Sequence, residues 1–111
     1  MTELRRGDIA LVAGGVHASK PRPAVILQDD LFTGIDSVTV CPFTTTEVDA
    51  PLLRMALPAD DATGIDSESF VMIDKVTTIR RSNISEPIGH LDGAQMLELE
   101  RRLMVFLGLA H

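Results

Sequence analysis

The apolar positions of this chain fall in short runs separated by polar breaks. Ile9-Ala10-Leu11-Val12 follows Gly7-Asp8 and stops at Gly14-Gly15. It reads as a first strand, followed by a polar, flexible loop over residues 16–21. Pro23 to Gln28 contains Ala24-Val25-Ile26-Leu27, apolar without alternation, as in a strand covered on both faces. After a turn at Thr33-Gly34, Ser37 to Phe43 reads as a third strand. Leu52 to Leu57 alternates weakly and stops at Pro58, giving a fourth. Ser69 to Val76 is a fifth, predicted to continue toward Ile79, and Ser82-Asn83-Ile84 is expected to form one helical turn.

The C-terminal pattern changes period. Met96, Leu99, Leu103, Phe106 and Leu107 recur at three and four, which predicts a helix with one face on the sheet and Glu98, Arg101 and Arg102 on the other. Asp92 is a strong N-cap with Gln95 three residues on, the spacing of a capping box. Leu91 and Met96 have the spacing of a hydrophobic staple, and Gly108 suits the left-handed terminating position. Five short strands and one terminal helix predict a mainly β, α+β domain. Its small curved sheet should roll into a partly open barrel. No linker or repeat divides the chain, so residues 1–111 are read as a single domain.

Composition narrows the classes. Hydrophobic content of 45% is that of a globular protein. There is no Trp or Tyr, so aromatic platforms for nucleobases are scarce. A lone Cys41 forms no internal disulfide, sits among apolar neighbours and reads as a core residue; a reducing cytoplasm is the simplest setting. The N-terminus is too polar for a signal peptide, and no apolar run approaches the roughly 20 residues that cross a bilayer. The net charge of −6 argues against a polyanionic ligand. However, residues 44–68 alone hold six acids and one base, leaving the remainder near neutral. The acidic segment reads as a solvated loop, and a positive groove elsewhere stays open. Its residues 60–68 miss the calcium-loop spacing, and no His/Cys pair has zinc spacing, so no metal or other cofactor is predicted.

Candidate chemistry concentrates where the second strand begins and the third ends. Arg22-Pro23 opens one, and Thr44-Thr45-Thr46 closes the other. If those strands are neighbours, a fixed cation and a hydroxyl meet at one mouth of the sheet, a pairing suited to a phosphodiester. The competing reading of Arg22 is a surface salt bridge to Asp29, Asp30 or Asp36; that of Thr44 is an ordinary strand threonine capping a turn. His17 has a pKa range suited to proton abstraction, although a lone loop histidine is more often just exposed. His90, before the helix cap, reads as structural.

Several segments together resemble the MazF/PemK-type toxins. These are Arg6-Gly7-Asp8-Ile9, residues 22–30, Val40-Cys41-Pro42-Phe43-Thr44-Thr45, residues 74–79, and the ending Glu100-Arg101-Arg102-Leu103 with Leu107-Gly108-Leu109. They fall in the family's order and span nearly the whole chain. The resemblance implies an SH3-like barrel of the CcdB/PemK type and a homodimer. It further implies a sequence-specific endoribonuclease that cuts single-stranded RNA without metal, leaving a 2′,3′-cyclic phosphate and a 5′-hydroxyl. It implies a cognate antitoxin whose disordered C-terminal tail lies in the RNA groove, with operator DNA engaged only indirectly through that antitoxin. Carried over by position, the catalytic arginine falls on Arg22 and the catalytic hydroxyl on Thr44, with Thr45 as the adjacent alternative. The candidate RNA-binding set is His17, Ser19, Lys20, Thr45, Lys75, Thr77 and Arg80; the competing readings are a solvated strand lysine for Lys75 and a cap of the short helix for Arg80. The chain departs from the family in a short, lightly charged first loop, in its acidic balance, and in Thr77 where some members carry arginine. Two rival functions share the barrel. One is a CcdB-like gyrase poison, which uses a C-terminal tryptophan this chain lacks; the other is an inactive interaction module.

Overall fold

The computed structural model describes residues 3–13 and 20–110. Among the described residues seven strands precede one helix: β1 (Asp8–Val12), β2 (Arg22–Ile26), β3 (Ser37–Thr44), β4 (Arg54–Leu57), β5 (Ser69–Met72), β6 (Thr77–Arg80), β7 (Ile84–His90) and α1 (Gly93–Phe106). All pairings are antiparallel. The main order is β4-β5-β3-β2-β1-β7, with β6 also paired to β3. β4 and β7 do not pair, so the sheet stays open; the gap is narrowed by the Ala62 carbonyl, which accepts from the His90 amide at 2.9 Å. This is the mainly β, partly open architecture expected, with seven strands rather than five.

The two extra strands have separate causes. The predicted fifth strand is interrupted by a 3-10 turn at Ile73–Lys75. β5 pairs with the end of β3 (Phe43↔Val71) and β6 with its beginning (Val40↔Thr77), and between them the register slips by three residues. The turn absorbs that slip. It turns Asp74 toward Arg54, whose guanidinium donates to it at 2.5 Å, while the Ile73 amide still bonds to Leu53. β7 was hidden by Pro87 and Gly89, residues that argue against a strand. It is an edge strand paired only with β1, and its ladder is irregular on both sides of Ala10↔Pro87, so the missing proline donor is tolerated. The helical turn expected at residues 82–84 is a 3-10 turn at Arg81–Asn83.

Both faces of the central strands are covered. Ile9, Val25, Cys41, Phe43 and Val71 pack with Leu99 of α1 on one side. Ala10, Ala24, Ile26, Val38 and Val40 pack with Leu4 on the other. This explains the unbroken apolar run in β2. Cys41 is fully buried and its thiol donates to the Met72 carbonyl at 3.1 Å; burial pushes its pKa up to about 12, so it stays a neutral thiol.

The helix ends as the sequence predicts. Asp92 accepts from the Gln95 amide and Gln95 accepts from the Asp92 amide, both at 2.8 Å, completing the capping box. Gly108 adopts φ +74 and closes the C-terminus. Leu91 and Leu99 are buried, with Met96 and Leu103 packed against the same cluster, but Phe106 and Leu107 are 46% and 56% exposed. The apolar stripe therefore outruns the sheet it covers by its last turn. Among the described residues, no helix is long and apolar enough to cross a membrane.

Candidate active site

Register brings Arg22 and Thr44 together. Ala24 faces Pro42, Val25 faces Cys41 and Ile26 faces Val40; extending the same pairing two residues sets Arg22 opposite Thr44. Opposed residues of an antiparallel pair project to the same face. Arg22 is also paired with Val12 of β1, and Thr44 with Phe70 of β5, so each is held from its other side. Pro23 adds a local constraint, since the residue before a proline is confined to extended backbone. The two side chains share the wall of an open pocket of about 650 Å³, floored in part by Phe43 and Met72.

Two of the three alternative partners of Arg22 are otherwise engaged. Asp29 caps the following 3-10 turn by accepting from the Leu31 amide at 2.9 Å, and Asp30 accepts from the Arg6 amide at 2.8 Å. Among the described residues the ion pairs are Arg6–Glu100, Arg54–Asp74 and Arg102–Glu98; none includes Arg22. Its guanidinium is exposed at the pocket. Thr44 is half-buried, and its hydroxyl oxygen accepts from the Thr46 amide at 3.1 Å. With the acceptor side so occupied, the hydroxyl hydrogen is left to donate, which is what a phosphate requires. Thr45 and Thr46 also line the pocket and are exposed.

The remaining sequence candidates scatter along β3. Thr77 faces Val40, four residues before Thr44, so it lies roughly 13 Å along the strand on the same face. Lys75 is exposed on the 3-10 turn, and Lys20 is exposed two residues before Arg22; neither lines the pocket. Arg80 faces Ser37 at the far end of β3, roughly 23 Å from Thr44 and on the opposite face. His17 and Ser19 lie outside the described residues. Among the described residues, no three His, Cys, Asp or Glu side chains gather as a metal site.

Part of the pocket lining was not anticipated. Residues 64–67 contribute to it, including Asp66 and Ser67. Part of the acidic segment read as a solvated loop thus flanks the arginine. The loop is fixed to β7: Gly64 has φ +73, and a Cβ there would lie 2.1 Å from the Ile88 carbonyl oxygen, while a Cβ on Gly89 would lie 2.2 Å from the Thr63 backbone. Thr63 is buried and donates to Asp60 through both its amide (2.8 Å) and its hydroxyl (3.0 Å). The one available sequence signal was position, since the loop runs directly into β5, the strand that pairs with Thr44.

Two carboxylates titrate low. The Thr63 backbone and hydroxyl bonds hold Asp60 below the ordinary carboxylate range. Burial opposes ionisation of Asp74, but the Arg54 hydrogen bond, a backbone bond and the Arg54 and Lys75 charges outweigh it, so its pKa is also lowered. A depressed folded-state pKa contributes stability that is present above the unfolded value of about 3.9 and lost as pH falls through the lower folded value. Urea midpoints should therefore be flat from pH 7 to 5 and fall below about pH 4. Asp74→Asn and Asp60→Asn should each shallow that acid limb.

The class of fold is thus a small, open antiparallel sheet capped by one C-terminal helix, with an arginine and a threonine lining one pocket. Residues 5–107 match the family model described as the PemK-like, MazF-like toxin of type II toxin-antitoxin systems, and the chain belongs to that family. It is 49% identical over 108 residues to the probable endoribonuclease MazF of Mycolicibacterium smegmatis, covering 96% of this chain and 99% of that protein. The Mycobacterium tuberculosis toxin MazF-mt6 superposes with a TM-score of 0.77 at 26% identity, over 94% of this chain and 99% of that one. MazF of Deinococcus radiodurans, solved in complex with MazE, gives a TM-score of 0.78 at 21% identity over 97% and 98% of the two chains, a likeness of fold.

Proposed function

We propose that this protein is the toxin endoribonuclease of a type II toxin–antitoxin pair and cleaves single-stranded RNA by internal transesterification without a metal ion. The supporting observation is that Arg22 and Thr44, at the ends of the paired strands β2 and β3, line one pocket. The ribose 2′-oxygen attacks the adjacent phosphorus, its proton passes to a base, and the bond from phosphorus to the 5′-oxygen breaks. That oxygen leaves with a proton as a 5′-hydroxyl, and the 2′,3′-cyclic phosphate remains. The substrate supplies its own nucleophile, so the protein must supply charge stabilisation, alignment and proton transfer.

Arg22 is permanently charged and cannot act as a base at neutral pH; its planar fork matches two phosphoryl oxygens as negative charge builds on them. Thr44 donates its hydroxyl hydrogen to the same phosphate. His17 is the candidate proton acceptor. Thr77, Lys20 and Lys75, all exposed outside the pocket, are the candidate flanking contacts to the RNA. The active form is a homodimer in the cytoplasm. It is neutralised by a cognate antitoxin whose disordered tail occupies the same groove and through which operator DNA is met. The family match and the antitoxin complex of the Deinococcus relative favour that partner.

Incubation with a long RNA in excess EDTA, beside a gyrase supercoiling assay, tests this reading. Discrete cuts with unaffected supercoiling are expected; intact RNA with inhibited gyrase would transfer the protein to the rival class. Thr44→Val should slow single-turnover cleavage by roughly 100-fold, the lower end of one donor's share of transition-state stabilisation, whereas Thr45→Val should cost under about threefold. The reverse order would move the catalytic hydroxyl to Thr45.

A further inference from the structure

We propose that Asp66, with Ser67 beside it, reads the Watson–Crick edge of a nucleobase next to the phosphate gripped by Arg22, and that it favours guanine and disfavours uracil. The inference rests on the endoribonuclease reading and adds a specificity determinant to it. Arg22 and Asp66 line the same pocket and form no ion pair with each other among the described residues, so the cavity offers a cation and a carboxylate that are not joined in a salt bridge. A phosphodiester seated on the arginine cannot also face a carboxylate. The group presented to Asp66 must carry hydrogen-bond donors, and in RNA these belong to the bases and the 2′-hydroxyls.

Among the bases, guanine offers two parallel donors, N1–H and N2–H, to one carboxylate. Cytosine and adenine offer a single exocyclic amine. Uracil offers N3–H between two carbonyl oxygens that a carboxylate repels. Stacking is a weak competitor for this selection, because Phe43, the aromatic side chain of the pocket, is only 5% exposed. The wall is also preorganised. Gly64 and Gly89 let the loop backbone lie against β7, and Thr63 is buried and bonded to Asp60, so Asp66 is presented from a fixed frame.

The test is mapping of 5′-ends from a random-sequence RNA pool cut in EDTA by the wild type, Asp66→Asn, Asp66→Glu and Asp61→Asn. Asp61 is exposed outside this pocket and controls for the loss of one negative charge. The wild type should enrich guanine over uracil at one position by roughly tenfold or more. Asp66→Asn should flatten that position alone, Asp66→Glu should restore part of it, and Asp61→Asn should match the wild type. Identical preferences in Asp66→Asn would overturn the proposal. So would a uniform gain in rate, which would make Asp66 a simple electrostatic brake, or a uniform loss at unchanged sites, which would make it a proton carrier. A wild type that cuts no RNA would instead defeat the underlying reading, and the proposal with it.

Discussion

Arg22→Ala is expected to slow single-turnover RNA cleavage by about 10³-fold, the upper range for removal of one preorganised donor group. The fold should be indifferent to it. Arg22 is exposed, and its side chain makes no ion pair among the described residues. Substitutions of this kind shift stability by under about 0.5 kcal/mol. A structural arginine would show the opposite profile, with a depressed melt and activity falling only in proportion to unfolded protein. Arg22→Lys separates charge from geometry. A lysine keeps the positive charge but not the planar fork, so its rate should fall between the other two. Equal activity of the lysine and wild-type enzymes would reduce Arg22 to a point charge in the pocket.

Gly64→Ala should carry the largest stability cost, about 3 kcal/mol, from a left-handed backbone without glycine and from overpacking. At φ +73 a side chain is strained whatever its surroundings, and here the new Cβ would lie 2.1 Å from the Ile88 carbonyl oxygen. Backbone cannot rotate away as the end of a flexible side chain would. The loop must lift off β7, which breaks the contact between Ala62 and His90 and displaces the wall bearing Asp66. The melting temperature should fall by roughly 12 °C, and cleavage should drop at temperatures where the variant is still folded. Gly34→Ala is the internal control: nothing lies within 4 Å of a Cβ built there, and its melt should be unchanged. A Gly64→Ala melt matching that control would contradict the close approach described.

What could be read from the chain followed locality. The capping box at Asp92 and Gln95 and the stop at Gly108 are encoded within a few residues each, and all three are realised. The apolar run of β2 announced burial on both faces, and Ala24, Val25 and Ile26 are buried. The meeting of Arg22 and Thr44 was legible because one opens β2 and the other closes β3, and consecutive strands commonly pair. Long-range geometry was not legible in the same way. β7 looks broken by Pro87 and Gly89 until one knows that it is an edge strand and that Gly89 makes room for the Thr63 backbone. The slip between β5 and β6 depends on both competing for one edge of β3. Asp66 is exposed, as charge in a turn-rich segment usually is, and only the tertiary path of the loop brings it to the same pocket as Arg22. Arg80 shows the converse: a basic residue at a plausible sequence position, carried by strand alternation to the other face.

The central claim is that this pocket cleaves RNA by turning the substrate's own 2′-hydroxyl on its phosphorus. The most direct test uses a short RNA containing one mapped cut site, in EDTA, with the single ribose on the 5′ side of that bond replaced by deoxyribose. The account predicts no cleavage of the substituted strand, while the unmodified strand yields a 2′,3′-cyclic phosphate and a 5′-hydroxyl. Cutting of the deoxy-substituted bond, or recovery of 5′-phosphate ends from the unmodified strand, would contradict it.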